Sequence, residues 1–276
     1  MRPSEVLLRA MRYLDAHGVE GSRENAETLL ARVLGTNRAG LYTRSEGLSS
    51  GEARAFGRAL CQRCTGTPLQ HLIGEQQFRS LALEVRPGVF VPRPETELIV
   101  DAALAAIEKT KGPNVVDVGT GTGAIALAVK AERSDTTVGA TDRSPEAVAL
   151  AADNAARLGL EVMVVGGDLF SEVPGNLKGE VDLVVSNPPY VAEKDYEDLP
   201  AEVRADPFSA LVGGTDMYRE LVVTSAEWLR PGGSLIVEIG PALASEIADV
   251  FREAFVDIRV LPDLTGRDRM VGGVYR

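Results

Sequence analysis

Asn114-Val115-Val116-Asp117-Val118-Gly119-Thr120-Gly121-Thr122-Gly123 runs from a short apolar segment straight into three alternating glycines. The apolar half reads as a buried strand over Asn114–Val118. The glycine half reads as the tight turn that opens a helix over Ala124–Ala131. Glycine tolerates the turn and lets a ligand approach the backbone, and open α/β sheets bind ligands beyond the carboxyl ends of their strands. Gly119, Thr120, Gly121, Thr122 and Gly123 are therefore candidate cofactor contacts. Gly119, Gly121 and Ala124 also satisfy the dinucleotide fingerprint G-x-G-x-x-G/A, so the loop alone does not separate a nicotinamide cofactor from another adenosine cofactor.

Downstream of this unit the pattern alternates. Further strands are expected at Thr137–Thr141, Glu161–Val165, Val181–Ser186, Ser234–Ile239, Val256–Leu261 and Met270–Tyr275. Helices are expected at Pro145–Leu158, Tyr218–Leu229 and Ala242–Phe255. That alternation predicts an α/β fold with a mostly parallel sheet covered by helices on both faces. The last two strands are joined by a loop too short for a helical crossover, so they are expected to be antiparallel.

Upstream the character differs. Val6, Leu7, Ala10, Met11 and Leu14 repeat at helical spacing, as do Ala26, Leu29, Leu30, Val33 and Leu34 after Ser22, with Gly35 as the stop. Ser49 and Glu52 have capping-box spacing ahead of a third helix ending near Gly66. Residues 1–75 are thus expected to form a helical bundle with a docking or packing role. In 76–92, Phe78, Leu81, Leu83, Val85, Val89 and Val91 alternate in a strand-like way around Pro87-Gly88, which predicts a hairpin connector. Pro94 then suits the first turn of a helix, and the third domain is taken as 93–276.

The chain has 276 residues, 45% hydrophobic and 25% charged, with a net charge of −11. That balance, without a clustered basic stretch, argues against direct nucleic-acid binding. No apolar run is long enough to span a membrane. Arg2, Glu5, Arg9 and Arg12 mark the start without the apolar core of a signal peptide, so a cytoplasmic location is expected. Cys61 and Cys64 read as helix-surface or part-buried thiols. His17 and His71 offer no spacing to complete a zinc site with them, so no metal is expected.

Three further features bear on chemistry. Asp142 ends the second strand of the sheet, placed to accept hydrogen bonds from both hydroxyls of a ribose. Asp168 follows the third, placed to accept from an adenine amino group with Leu169 or Phe170 against the ring. Asn187-Pro188-Pro189-Tyr190 follows the fourth strand. Its side-chain oxygen, free carbonyls and aromatic wall make a stiff cup for a planar NH2 group, since proline fixes φ and contributes no competing N–H. A cofactor site and a cup on one sheet edge suit S-adenosyl-L-methionine better than a dinucleotide.

The chain resembles the peptide chain release factor glutamine methyltransferases. The likeness rests on Pro92-Arg93-Pro94-Glu95-Thr96-Glu97, Asp117–Ala124, Asn187–Tyr190, Glu238-Ile239-Gly240 and Asp263-Leu264-Thr265-Gly266-Arg267-Asp268-Arg269. It implies a Rossmann-like class I methyltransferase sheet of seven strands, the last antiparallel, behind a small N-terminal helical domain. It also implies transfer of a methyl group from S-adenosyl-L-methionine to the glutamine amide nitrogen of a Gly-Gly-Gln loop, with release factors as the protein partner. Carried over, the glycine loop and Asp142 would hold the methionine and ribose parts, and Asp168 with Leu169 the adenine. Asn187, Pro188, Pro189 and Tyr190 would hold the glutamine, Asn187 also facing the cofactor, and Pro92–Thr96 would line the roof. Two segments depart from the family pattern, Leu243 and Gly213–Tyr218; both are expected to lie away from the cup. The readings that compete are a paralogue acting on another amide or amino group, a nicotinamide dehydrogenase, a DNA adenine methyltransferase and a non-catalytic cofactor-binding module.

Overall fold

The computed structural model describes residues 2–276, and the chain separates into two compact units. One comprises the residues up to Glu75 together with Leu199–Ala205; the other comprises Gln76–Asp198 and Asp206–Arg276.

The first unit is helical: α1 (Pro3–Ala16), α2 (Ser22–Leu34), α3 (Arg38–Thr43), α4 (Ser50–Cys64) and α5 (Leu69–Ile73). Leu7, Ala10 and Leu14 of α1 bury one stripe against Leu29 and Leu30 of α2 and Phe56 and Leu60 of α4. The Ser49–Glu52 capping box is present, each residue's side chain accepting from the other's backbone N–H. Gly35 closes α2 in the left-handed region. The short α3 and α5 are additions to the sequence reading, because five or six residues hold too few turns for periodicity to mark them. Arg63, buried on α4, donates to Asn25 (2.7 Å) and to Glu202 (2.6 Å), which fastens the Leu199–Ala205 strap to the bundle.

The second unit opens one residue into a hairpin, β1 (Glu75–Phe78) and β2 (Leu81–Glu84). Its turn is at Arg79-Ser80, with Arg79 at φ +52°, and not at Pro87-Gly88 as expected. Val85, Val89 and Val91 are buried but lie outside any strand. Their alternation reflects burial, and proline with glycine breaks the ladder. A 3₁₀ turn at Pro94–Thr96 leads into α6 (Glu97–Ala106).

The main body follows as β3 (Asn114–Val118), α7 (Ala124–Glu132), β4 (Thr137–Asp142), α8 (Pro145–Leu158), β5 (Val162–Gly166) and β6 (Val181–Ser186). Then come α9 (Phe208–Leu211), α10 (Thr215–Trp228), β7 (Leu229–Glu238), α11 (Ala244–Phe251), β8 (Phe255–Pro262) and β9 (Asp268–Tyr275). Among the described residues these strands form one seven-stranded sheet ordered β5-β4-β3-β6-β7-β9-β8. Strand β9 is antiparallel to both β7 and β8, while the β5-β4-β3-β6-β7 pairs are parallel. All six residues of β6 are buried, as a central parallel strand covered on both faces requires. Most other boundaries shift from expectation by one to three residues, and two shift further. α11 stops at Phe251 because Phe255 pairs with Tyr275, and β7 begins at Leu229 through a bulge that carries Pro231-Gly232-Gly233.

Candidate active site

The parallel register lines up the strand ends. Val118 of β3 sits beside Thr141 of β4 on one side and Ser186 of β6 on the other, and Asp142 sits beside Gly166 of β5. The Ser186 hydroxyl donates to the Val118 carbonyl (2.7 Å), fixing this alignment at the point where both strands turn outward. Gly119 and Asn187, the next residues of each, therefore start about one strand spacing apart, ~4.8 Å.

The glycine loop is closed on itself. Gly119, Gly121 and Gly123 have φ of +73°, +57° and +83°. The N–H groups of Gly119 and Thr120 both donate to the Thr141 carbonyl (2.8 and 2.9 Å), and that of Gly123 donates to Thr120 (2.9 Å). The Gly121 N–H donates to Asp142 Oδ2 (2.9 Å), whose Oδ1 accepts from Ser144 N–H (2.9 Å). Beneath the loop, buried Asp117 caps α7: its Oδ2 accepts from the Thr120 hydroxyl (2.6 Å) and the Ala126 N–H (3.2 Å). Burial pushes the Asp117 carboxyl up to about 7 despite these two donors, with the Asp142 charge adding to the rise. In front of the loop there is room, since a side chain begun at Gly119 or Gly121 would meet nothing within 4 Å. Thr122 is buried against the sheet, and its carbonyl accepts from Asn154 (3.0 Å).

Ser144, not Asp142, is the N-cap of α8, its hydroxyl accepting from Ala147 N–H (3.2 Å). Asp142 is free of the capping role and keeps its remaining lone pairs at the sheet edge. Asp168 is exposed beyond β5. Leu169 sits at φ +49°, a region a branched side chain rarely enters. Phe170 is buried and stacked on Trp228 (5.2 Å), so of the two aromatic or aliphatic candidates Leu169 is the one left at the edge.

At the end of β6, Pro188 is buried and Asn187, Pro189 and Tyr190 are half-buried. Asn187 Nδ2 donates to the Thr96 hydroxyl (3.2 Å). That hydroxyl bonds the Glu238 carboxyl, which ends β7 beside the β6 terminus. A hydroxyl that donates to a carboxylate must accept from its other partner, which assigns the nitrogen of Asn187 to Thr96 and leaves its oxygen pointing away. Tyr190 lies over Gly240, where an added Cβ would come within 3.3 Å of the ring. Burial raises the Tyr190 phenol, so the ring is a neutral wall.

A family model described as Methyltransferase small domain matches residues 82–203, and one described as PrmC N-terminal domain matches residues 5–74. A protein of Deinococcus radiodurans named release factor glutamine methyltransferase is 41% identical over 276 residues, covering 98% of each chain. A second of that name, from Moorella thermoacetica, is 41% identical over 273 residues and covers 96% of this chain and 95% of its own. This chain belongs to the release factor glutamine methyltransferase family. Among solved structures, the 16S rRNA N2 G1207 methyltransferase of T. thermophilus, in complex with AdoMet and guanosine, superposes with a TM-score of 0.57 at 20% identity. It covers 73% of this chain and 50% of its own, which establishes the shared fold.

Within the family framework, the two departing segments are not remote from the cup. The Gly213 position lies 2.2 Å, measured from an added Cβ, from the Pro189 carbonyl oxygen. Val191 and Gly213 are stitched together by Val191 N–H to Leu211 (2.9 Å) and Gly213 N–H to Val191 (3.1 Å). Leu243 packs in the same apolar cluster as Tyr190. Thr96, expected in a roof, is buried behind Asn187. The Asp263–Arg269 stretch is a turn built on Asp263, whose Oδ1 accepts from the N–H groups of Thr265 (2.8 Å) and Arg267 (3.1 Å). Its Oδ2 accepts from Arg269 (3.1 Å), which holds that guanidinium beside Glu238 and Tyr190. Asp117, Thr96, Glu238, Gly213 and Arg269 were all visible in motifs, but only as residues accompanying the loop and the cup. Both histidines, His17 and His71, lie in the helical unit.

Proposed function

We propose that this protein transfers a methyl group from S-adenosyl-L-methionine to the side-chain amide nitrogen of the glutamine in the Gly-Gly-Gln loop of peptide chain release factors. The observation that carries the reading is the β3–β6 register. Asn187, whose amide nitrogen is held by Thr96, begins one strand away from an open glycine loop, which supports its oxygen as the acceptor.

The loop fits S-adenosyl-L-methionine better than a pyrophosphate-bearing dinucleotide. A phosphate site at a helix start needs free N–H donors, and five of the eight from Gly119 to Ala126, those of Gly119, Thr120, Gly121, Gly123 and Ala126, have partners inside the protein. The acceptor-rich surroundings, Asp117 below and Asp142 beside, favour a cationic ligand over an anionic one. Gly119–Gly123 would hold the methionine part, Asp142 the ribose hydroxyls, and Asp168 with Leu169 the adenine.

The cofactor supplies an electrophilic methyl group on a sulfonium. The protein's part is to make a poor nucleophile adequate. An amide nitrogen shares its lone pair with its carbonyl. Acceptors at Asn187 Oδ1 and the Pro188 carbonyl, each taking one N–H of the glutamine NH2, push electron density back onto nitrogen and fix its plane. Pro188 and Pro189 contribute stiffness without a competing donor, and Tyr190 covers the amide face. Alignment of this kind supplies several kcal/mol of an enzymatic barrier. No base is required before transfer, since the N-methylated amide loses its proton readily afterwards.

The test is incubation with a full-length release factor and S-adenosyl-L-methionine, followed by peptide mass spectrometry. One methyl on the Gly-Gly-Gln glutamine is expected, lost when that glutamine is replaced by alanine. DNA and small primary amides serve as competing substrates. Methylation confined to either of them, or to another residue of the release factor, overturns the reading.

A further inference from the structure

We propose that Thr96 and Glu238 are positioning residues that set the polarity of the Asn187 amide, holding its oxygen toward the substrate nitrogen. This rests on the reading of Asn187 as the acceptor for that nitrogen. An asparagine amide is nearly symmetric in shape, and turned over it would present two donors to a substrate NH2 that is itself all donors. Something must choose the orientation. Thr96, 3% exposed, lies behind Asn187 and accepts from its Nδ2 (3.2 Å). The Thr96 hydroxyl can accept there because its proton is directed to Glu238, 2% exposed. The direction of the whole chain is thus set by a carboxylate that can only accept.

The surroundings of Glu238 hold it in place. The Tyr218 hydroxyl of α10 donates to its backbone carbonyl (2.9 Å). Arg269 of β9 is the cation facing it, itself tied to Asp263. Glu95, on the Pro94–Thr96 turn, is the opposing anion, and the Tyr190 and Tyr218 phenols are neutral, both raised by burial. Oε2 of Glu238 is buried with no hydrogen-bond partner among the described residues. An apolar residue would fill this place at less cost; what the carboxylate supplies is the acceptor for the Thr96 hydroxyl.

The device has a pH consequence. Burial raises the Glu238 carboxyl to about 7, with Glu95 adding to the rise and Thr96 and Arg269 opposing it. Once protonated, the acid donates to the Thr96 oxygen. The threonine proton is then released from Glu238 and free to turn toward Asn187, so the bias that holds the amide in one orientation is lost. Turnover at saturating substrates therefore falls as pH drops through about 7. Asp117 titrates in the same range, but it lies under the glycine loop, so its effect belongs to cofactor affinity.

The experiment compares Thr96→Val, Thr96→Ser and Glu238→Gln. Thr96→Val removes the hydroxyl in nearly the same volume and should lower kcat roughly 10- to 100-fold while cofactor affinity holds. Thr96→Ser, which keeps the hydroxyl, should recover most of kcat. Glu238→Gln offers an oxygen acceptor at every pH and should lose the acidic limb of the kcat profile. A readout independent of turnover is the side-chain amide resonance of Asn187, assigned by its loss in Asn187→Ala. It should shift with pH about 7 in the wild type and sit at a solvent-exposed position in Thr96→Val. Thr96→Val within threefold of wild-type kcat, an unchanged acidic limb in Glu238→Gln, or an Asn187 resonance indifferent to Thr96 each overturns the proposal. If the wild type methylates no release factor, the acceptor reading fails, and the Asn187 resonance still decides whether Thr96 orients the amide.

Discussion

Gly213→Ala is the substitution for which the structure sets the magnitude most directly. A Cβ at Gly213 would stand 2.2 Å from the Pro189 carbonyl oxygen and 2.9 Å from its carbon, whereas real Cβ atoms essentially never approach within 3.0 Å. The gap must open by at least 0.8 Å, the difference between 2.2 and 3.0 Å. Neither side yields cheaply. The obstacle is backbone, and the two hydrogen bonds between Val191 and the Leu211–Gly213 segment clamp both sides of the contact. Pro189 is linked directly to Pro188, the carbonyl proposed to face the substrate, so the displacement passes into the cup. A misplacement of about 1 Å costs on the order of 100-fold in rate. Gly214→Ala is the matched control, since a Cβ there meets nothing within 4 Å. The assay is single-turnover methyl transfer to a release factor, with cofactor affinity measured by calorimetry on the same preparations. The expected result is a kcat near one hundredth of wild type for Gly213→Ala, an almost unaffected Gly214→Ala, and cofactor affinity unchanged in both. Gly213→Ala above a third of wild-type rate, with its fold intact, would refute the claim that this contact holds the cup.

Three more outcomes are expected. Asn187→Ala should abolish methyl transfer while cofactor binding survives, and turnover above a tenth of wild type would count against an acceptor role. Asp142→Asn keeps one oxygen for Gly121 or Ser144 but removes the charge and one acceptor; calorimetry should show at least a ten-fold loss of cofactor affinity (about 1.4 kcal/mol). Stability should also depend on pH through Asp117 and Glu238, both raised to about 7 in the folded protein. A carboxyl raised on folding binds its proton more tightly in the folded state, so its contribution is full below about 4 and lost as pH climbs through about 7. Thermal midpoints should therefore decline between about pH 4.5 and 7, by a free-energy change on the order of a few kcal/mol. Asp117→Asn should flatten the decline, and a midpoint rising over that interval would show the two groups are not buried as described.

Much of the fold was legible because it is written in short-range patterns. Asn114–Val118, Val181–Ser186 and Pro145–Leu158 match their expected bounds to the residue: an unbroken apolar run marks a central strand, and a proline at the first turn with a glycine after the last marks a helix. The hairpin was misplaced because alternation over Val85, Val89 and Val91 reports burial, and burial is not pairing. The end of α11 was overrun because nothing local shows that Phe255 will be claimed by Tyr275.

The site divides the same way. The glycine loop, Asp142, Asp168 and Asn187–Tyr190 are recognisable alone, since each follows a strand within a few residues and its backbone chemistry is local. Their support is not. Asn187 meets Thr96 across 91 residues of sequence, and Gly213 meets Pro189 through a loop whose return path no spacing rule predicts. By itself, then, the sequence determined the α/β architecture and the sheet edge that carries the candidate site, because φ/ψ preferences and hydrophobic period act between near neighbours. Only the tertiary structure decided which way the Asn187 amide faces and what keeps the cup rigid, because those depend on groups that packing alone brings within hydrogen-bond reach.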